Sequence, residues 1–291
     1  MPWLVTVAIF AFLFRRYPID RVVETLSTAR WGVYLLLMAP YSLFYCLVDA
    51  AVLQRAVSWF LVRVRWVDVL PVRATTYILS LVNTHVGQGG IALYLHRRHG
   101  IPFWRVTSTV LLLALVEVYQ LAFWSMVGGA ASRDPRAPWP AYVLMAGLAA
   151  VLLWWVRRPA TADKPVLDAL RRARAWQYIV LALMKAPNLL AAVLVHWLAL
   201  PLFGMHIPFT ALLTFLPLVF FFAALPIAAA HLGPSQFAWT AFFGGYAPGE
   251  ALLAYSLAAH LTFMVLNALI GVLFLPRAVR ELSSGEARPA S

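Results

Sequence analysis

The 291 residues contain a single cysteine, Cys46, which excludes an intrachain disulfide framework and any cysteine-based metal cluster. Acidic residues are nearly as scarce: 11 Asp and Glu stand against 23 Lys and Arg. All four charged types together make up 12% of the chain, about half the share in a soluble domain, too little to clothe a water-facing surface. A cleavable leader is not expected either. Met1–Phe14 is apolar, but it lacks a basic start and runs into Arg15-Arg16 instead of small residues. What fills the chain is apolar side chain, at 63%, with a mean hydropathy of +0.80, and that composition belongs in a bilayer. The net charge of +12 would suit a nucleic-acid binder if it formed a patch. Instead Arg and Lys sit between apolar runs, where orientation signals and lipid headgroup contacts are found, so membrane lipids and not nucleic acid are the expected partners.

A spanning helix takes about 20 mostly apolar residues. Trp31–Leu53, Phe103–Gly128, Ala141–Val156, Tyr178–Phe203 and Glu250–Leu275 read as spans, and Pro2–Phe14 as a short first span or an N-terminal anchor. Ile19–Ala29 mixes Asp20, Arg21 and Glu24 with Val22, Val23 and Leu26, as a helix lying at the membrane interface does. Two further apolar segments are broken. Asp68–Asn83 and Ile91–His96 are separated by Thr-His-Val-Gly-Gln-Gly-Gly, and Phe209–Ala230 and Phe237–Gly245 by His-Leu-Gly-Pro-Ser-Gln.

The two breaks match. His85-Val86-Gly87 and His231-Leu232-Gly233 are offset by 231 − 85 = 146 residues, and the same offset carries Pro71 onto Pro217 and Pro102 onto Pro248. Polar, helix-breaking sequence at membrane depth is tolerated where it is buried in protein or lines a cavity. Its duplication points to a binding site between repeats. The basic stretch Arg157–Arg174 anchors the cytoplasmic side, since positive charge stays inside. The first break then lies between inside charges (Arg63, Arg65 and Arg73 before, Arg97 and Arg98 after). The second lies between Gly204–Pro208 and Gly244–Pro248, which carry none. The expectation is an all-α, polytopic membrane bundle with two inverted repeats, each holding a re-entrant helical hairpin. The repeats span about 67–128 and 209–275, with a cytoplasmic basic linker at 157–176, a single membrane domain over 1–280 and a disordered tail at 281–291. Arg277 and Arg280 place the C-terminus inside; Arg15, Arg16, Arg21 and Arg30 fall outside, against the rule.

Polar residues inside apolar segments are the candidate site. His85 and His231 either hydrogen-bond a lipid phosphate or carry a proton at mid-depth, or each caps the frayed backbone of its own hairpin. Gly87, Gly89, Gly90 and Gly233 fit tight turns. Glu117, mid-span with Gln120 one turn on, faces a cavity or partner, or is a protonated acid bonded to a neighbouring helix. Lys185 either snorkels to the inner surface or binds an anionic headgroup. Asp49, Asn267 and His260 read as packing and interface residues, and Arg97 and Arg98 chiefly as orientation charges, with lipid phosphate contact as the second reading. No nucleophile–base pair or metal-ligand set can be read from the spacing, and no cofactor is implied.

At these positions the chain resembles the flippase-like transmembrane domain family typified by the membrane half of lysylphosphatidylglycerol synthase, the multiple peptide resistance factor. The family's first motif corresponds to Asn83-Thr84-His85-Val86-Gly87-Gln88 followed by His96-Arg97-Arg98-His99-Gly100-Ile101-Pro102. Its second corresponds to Leu225-Pro226-Ile227-Ala228-Ala229-Ala230-His231-Leu232-Gly233-Pro234-Ser235-Gln236. The resemblance implies a lipid-translocating role in a bacterial inner membrane. Both motif acids are Gln here, Gln88 and Gln236, and the family's Glu-Arg pair falls at Leu113-Ala114; Glu117 stands where a motif Asp is expected. Those losses favour an anionic or neutral headgroup. No aminoacyltransferase domain follows Arg280, so the synthase reaction is not expected.

The function expected is movement of a lipid between leaflets, with Asn83, His85, Gln88, Glu117, Lys185, His231 and Gln236 as substrate-binding residues. Proton coupling through Glu117 and the two histidines is part of that expectation. Two other classes remain open: an intramembrane enzyme using His85 or His231 as acid–base group, and a non-transporting scaffold that recruits lipid-synthesis enzymes through Arg157–Arg174.

Overall fold

The computed structural model describes residues 2–82, 84–132, 135–137, 139–158, 164–224 and 232–283, and for a few of these, 79–82 and 84–88 among them, the backbone path only. Every regular element among the described residues is helical. The helices are α1 (Pro2–Arg16), α2 (Ile19–Thr28), α3 (Trp31–Phe60), α4 (Trp66–Val82), α5 (Thr84–His99), α6 (Phe103–Ser132), α7 (Trp139–Val156), α8 (Asp168–Arg172), α9 (Ala175–Ala199), α10 (Phe209–Ala224), α11 (Pro234–Phe243) and α12 (Gly249–Ser283). Apolar segments with no polar partners close their backbone hydrogen bonds within themselves, and a helix does so locally. Among the described residues four helices are long and apolar enough to cross a membrane: Trp31–Phe60, Phe103–Ser132, Ala175–Phe203 and Gly249–Ala278. At about 1.5 Å per residue each exceeds the roughly 30 Å of a hydrocarbon core. Their outer faces carry exposed apolar side chains such as Leu36, Leu183 and Leu273, which water would not tolerate in such number.

Element order repeats. A long helix, two short ones and a second long one occur as α3–α4–α5–α6 and again as α9–α10–α11–α12. The helix starts are offset by 175 − 31 = 144, 209 − 66 = 143, 234 − 84 = 150 and 249 − 103 = 146 residues. The short helices pair. Val69 and Val72 near the start of α4 share a core with Ile91, Ala92 and Leu95 near the end of α5, so the two run antiparallel. Helices α10 and α11 pack together likewise, with Phe215 and Phe222 of α10 both against Phe242 of α11.

The chain divides into two compact units. One comprises 1–42, 121–139 and 189–266: α1, α2, the hairpin α10–α11, and the adjoining parts of the four long helices. There Leu13 and Val22 pack on Leu253 and Ala254. Tyr34, Phe203, Tyr255 and Trp239 form a continuous set of edge-to-face rings, and Phe243 packs tilted on Trp239. The other unit comprises 43–120, 140–188 and 267–291, with the hairpin α4–α5, α7 and α8. Its core joins Val52, Ala56 and Phe60 of α3 to Leu112 and Val116 of α6, Leu170 of α8 and Leu181 of α9.

Several boundaries differ from the sequence expectation. Helix α5 begins at Thr84 and runs through Gly87, Gly89 and Gly90, so the turn expected across those residues is not formed there. With few polar partners at hand, keeping the helical bonds outweighs the roughly 1 kcal/mol penalty of each glycine. Arg157–Arg174 is not simply a linker. Asp168 of α8 accepts from Arg105 at 3.2 Å and Arg172 at 2.7 Å, Ala169 N donates to Ser108 Oγ at 2.7 Å, and Arg172 reaches the Phe60 carbonyl at 2.9 Å. Helix α12 extends to Ser283, into the stretch expected to be tail. The amphipathic helix α2 is formed over Ile19–Thr28, with Val22 buried and Asp20, Arg21 and Glu24 exposed.

Candidate functional site

Four helices of one unit bring ionisable residues together. Helix α3 contributes Asp49 with Tyr45 one turn before it, and α4 contributes Arg73, Thr76 and Tyr77. Helix α6 contributes Glu117 and Gln120, and α9 contributes Lys185 and Asn188, each pair three residues apart and so on one face. All of these lie inside helices whose other residues are mostly apolar, so their polar atoms turn to one another.

Arg73 Nε is ion-paired with Asp49 Oδ2, and its Nη1 donates to Thr76 Oγ1 at 3.2 Å. Tyr77 Oη donates to the same Asp49 oxygen at 3.5 Å, and the Arg73 guanidinium lies 4.6 Å from the Tyr77 ring centroid. Lys185 Nζ is ion-paired with Glu117 Oε2, while Gln120 Nε2 donates to Glu117 Oε1 at 3.1 Å. The pairs are linked, because Asp49 interacts electrostatically with Lys185 as well as Arg73. Asn188 Nδ2 donates to the Tyr45 carbonyl at 3.4 Å. Two cations and two carboxylates therefore make a cluster of zero net charge.

Three members are well covered: Asp49 and Lys185 side chains are 12% exposed and Arg73 18%, whereas Glu117 is 35% exposed and forms the open side. A lone charge at membrane depth costs several kcal/mol, and a compensated set much less. Such a cluster can exchange partners with an incoming polar group without leaving a bare charge. Among the described residues no three His, Cys, Asp or Glu side chains stand close enough together to hold a metal ion.

Of the residues singled out from sequence, Glu117 and Lys185 are brought into contact as an ion pair. Gln236 belongs to the other unit. It is fully buried at the first turn of α11, where Oε1 accepts from Gly233 N at 2.7 Å and Ser235 Oγ at 3.1 Å. Gly233 has φ +105°, a conformation that favours glycine, and Ile9 of α1 packs 3.3 Å from where a Cβ would sit. Thr6 Oγ1 donates to the Leu232 carbonyl at 3.2 Å, so α1 covers that turn. Asn83 and His231 lie outside the described residues, as do the side chains of His85 and Gln88. Arg97 is exposed near the end of α5, while Arg98 bonds the Tyr94 hydroxyl and lies over its ring.

Sequence reasoning missed Arg73 and Asp49. Arg73 was counted only as an inside charge flanking the first break, although it stands two residues past Pro71 inside an apolar run, and Asp49 was set aside as a packing or interface residue. An ionisable residue within an apolar span was the signal in both. His196 was also missed; it is buried against Trp239 with Nδ1 2.6 Å from the Tyr255 hydroxyl.

Comparison with protein-family models finds no match to this chain, and comparison with curated proteins finds none either.

Proposed function

We propose that this protein is an integral inner-membrane protein of a bacterium that moves a lipid between leaflets, with its C-terminus in the cytoplasm. The observation that carries the reading is the neutral four-charge cluster of Asp49, Arg73, Glu117 and Lys185, held inside helices of which three are long and apolar enough to cross a membrane. Ionisable groups are retained at such depth where polar cargo passes. The repeated order of long and short helices supports it, since duplicated, interrupted helices are a feature of transporters that alternate access to a central site. So does the resemblance of Asn83–Gln88 and Leu225–Gln236 to the motifs of the flippase-like domain family. In this reading the hairpins α4–α5 and α10–α11 are re-entrant and enter from opposite faces, as the distribution of Arg and Lys argues. Arg73, buried against Asp49, drops out of that charge count, and Arg63, Arg65, Arg97 and Arg98 carry it.

The test is reconstitution. Purified protein in vesicles with trace fluorescent lipids, followed by chemical quenching of the outer leaflet, is expected to raise the exchange rate well above that of empty vesicles. Headgroup turnover without exchange would replace the reading with an enzyme, and neither activity would leave a scaffold.

A further inference from the structure

Two buried acceptors beside the Lys185–Glu117 pair have no donor. Gln120 is 4% exposed and Asn188 6%, and neither Gln120 Oε1 nor Asn188 Oδ1 finds a hydrogen-bond partner. Their orientation follows from what each amide nitrogen meets. Gln120 Nε2 faces a carboxylate oxygen and Asn188 Nδ2 a backbone carbonyl, and both of those groups only accept. The NH2 ends are fixed there, and the carbonyl ends are left over. A buried acceptor left unmet is costly, and a group that supplies a donor recovers that cost on binding. Each oxygen is one helical turn from a member of the ion pair, Gln120 from Glu117 and Asn188 from Lys185, on the same helix face. The surrounding charges cancel, so a ligand of net charge would bring in a charge with no counterpart.

We propose that this cluster selects a lipid headgroup that carries no net charge and presents N–H or O–H donors: an ethanolamine-type zwitterion, or an uncharged polyol or sugar. It rests on the translocation reading and adds the class of cargo. The donors are received by Gln120 Oε1 and Asn188 Oδ1, and the group enters past Glu117, the most exposed member. A zwitterion places its ammonium toward Glu117 and its phosphate toward Lys185, exchanging one ion pair for two. A choline headgroup has three methyl groups on nitrogen and no N–H, so it leaves both acceptors empty. Net-cationic and net-anionic headgroups are disfavoured alike.

The experiment uses full-length protein in phosphatidylcholine vesicles with trace acyl-labelled lipids: ethanolamine, N-methyl, N,N-dimethyl and choline phospholipids, and a monoglucosyl diacylglycerol. Exchange of the ethanolamine or glucosyl lipid is expected to be about tenfold faster than that of the choline lipid, the worth of one or two hydrogen bonds. A fast ethanolamine lipid with a slow glucosyl lipid assigns the zwitterion, and the reverse assigns the sugar. Asn188→Leu is expected to narrow the difference. A second measurement, thermal unfolding in detergent with each lipid added, is expected to show stabilisation by the selected lipid and not by the choline lipid; the wild-type series suffices if the variant does not fold. Equal acceleration of all lipids would overturn the headgroup selection and leave translocation standing. Selective stabilisation without exchange would keep the site and overturn translocation. Absence of both effects overturns both.

Discussion

Lys185 of α9 and Glu117 of α6 form an ion pair within one unit, and the second oxygen of that carboxylate accepts from Gln120 at 3.1 Å. Each side chain thus supplies the compensation the other needs to lie among apolar helices. The consequence is non-additivity. Glu117→Gln strands the Lys185 ammonium and is expected to cost about 2 kcal/mol, less than for a fully buried pair because Glu117 is part exposed. The double variant Glu117→Gln with Lys185→Met is expected to recover most of that loss. Chemical unfolding in detergent for the two single variants and the double checks it; additive losses would contradict the pairing.

The Arg73–Asp49 pair is covered on both sides, so its disruption is expected to be more damaging. Asp49→Asn leaves a buried guanidinium facing uncharged partners such as Thr76 and Tyr77, a loss of about 3–5 kcal/mol. The same unfolding assay should rank Asp49→Asn below Glu117→Gln in stability. The opposite ranking would mean that burial does not decide the cost.

Gly128 of α6 is a point of close backbone approach to α10. A Cβ there would lie 2.6 Å from the Leu213 carbonyl carbon and 2.9 Å from its oxygen. Backbone cannot step aside as a side chain can, so Gly128→Ala is expected to destabilise by about 2 kcal/mol. Gly147 of α7 has nothing within 4 Å of the equivalent position, and Gly147→Ala is expected to be neutral or slightly stabilising. Melting temperatures of the two alanine variants make the comparison.

His99, at the C-terminal end of α5 and outside the long spans, has its imidazole held below the ordinary value of 6.5, first by burial and then by the charge of Arg98, with Asp68 opposing. The unfolded chain therefore binds a proton near pH 6.5 that the folded protein takes up only at lower pH. Stability from this group is full above that value and is lost as pH falls below it, until the folded imidazole also protonates. His99→Gln is expected to flatten that part of a stability profile between about pH 7 and 5. An unchanged slope would show that other groups set it.

Much of the fold was legible because it depends on local pattern. Apolar length marked the long helices, and Pro and Gly marked where the short ones begin and end; Gly233 with φ +105° is one such position, and Gly100 with φ +64° another. The glycines at 87, 89 and 90 misled, since glycine permits a turn without requiring one, and the helix runs through them. The candidate site was half legible. Glu117 and Lys185 stood out as charges within apolar segments, but Asp49 and Arg73 have equally apolar neighbours and were read as a packing or interface residue and as an orientation charge.

Sequence alone determined that this chain is helical and that apolar runs of membrane length recur along it, because hydrophobic length and helix punctuation act over a few turns of chain. Five such runs read as spans, and among the described residues four helices have that length and composition. Only the tertiary structure decided that Glu117 pairs with Lys185 and Asp49 with Arg73. Those partners come from different helices, and the choice is made by which faces pack together once the apolar surface is buried, where an unmatched charge is too costly to keep.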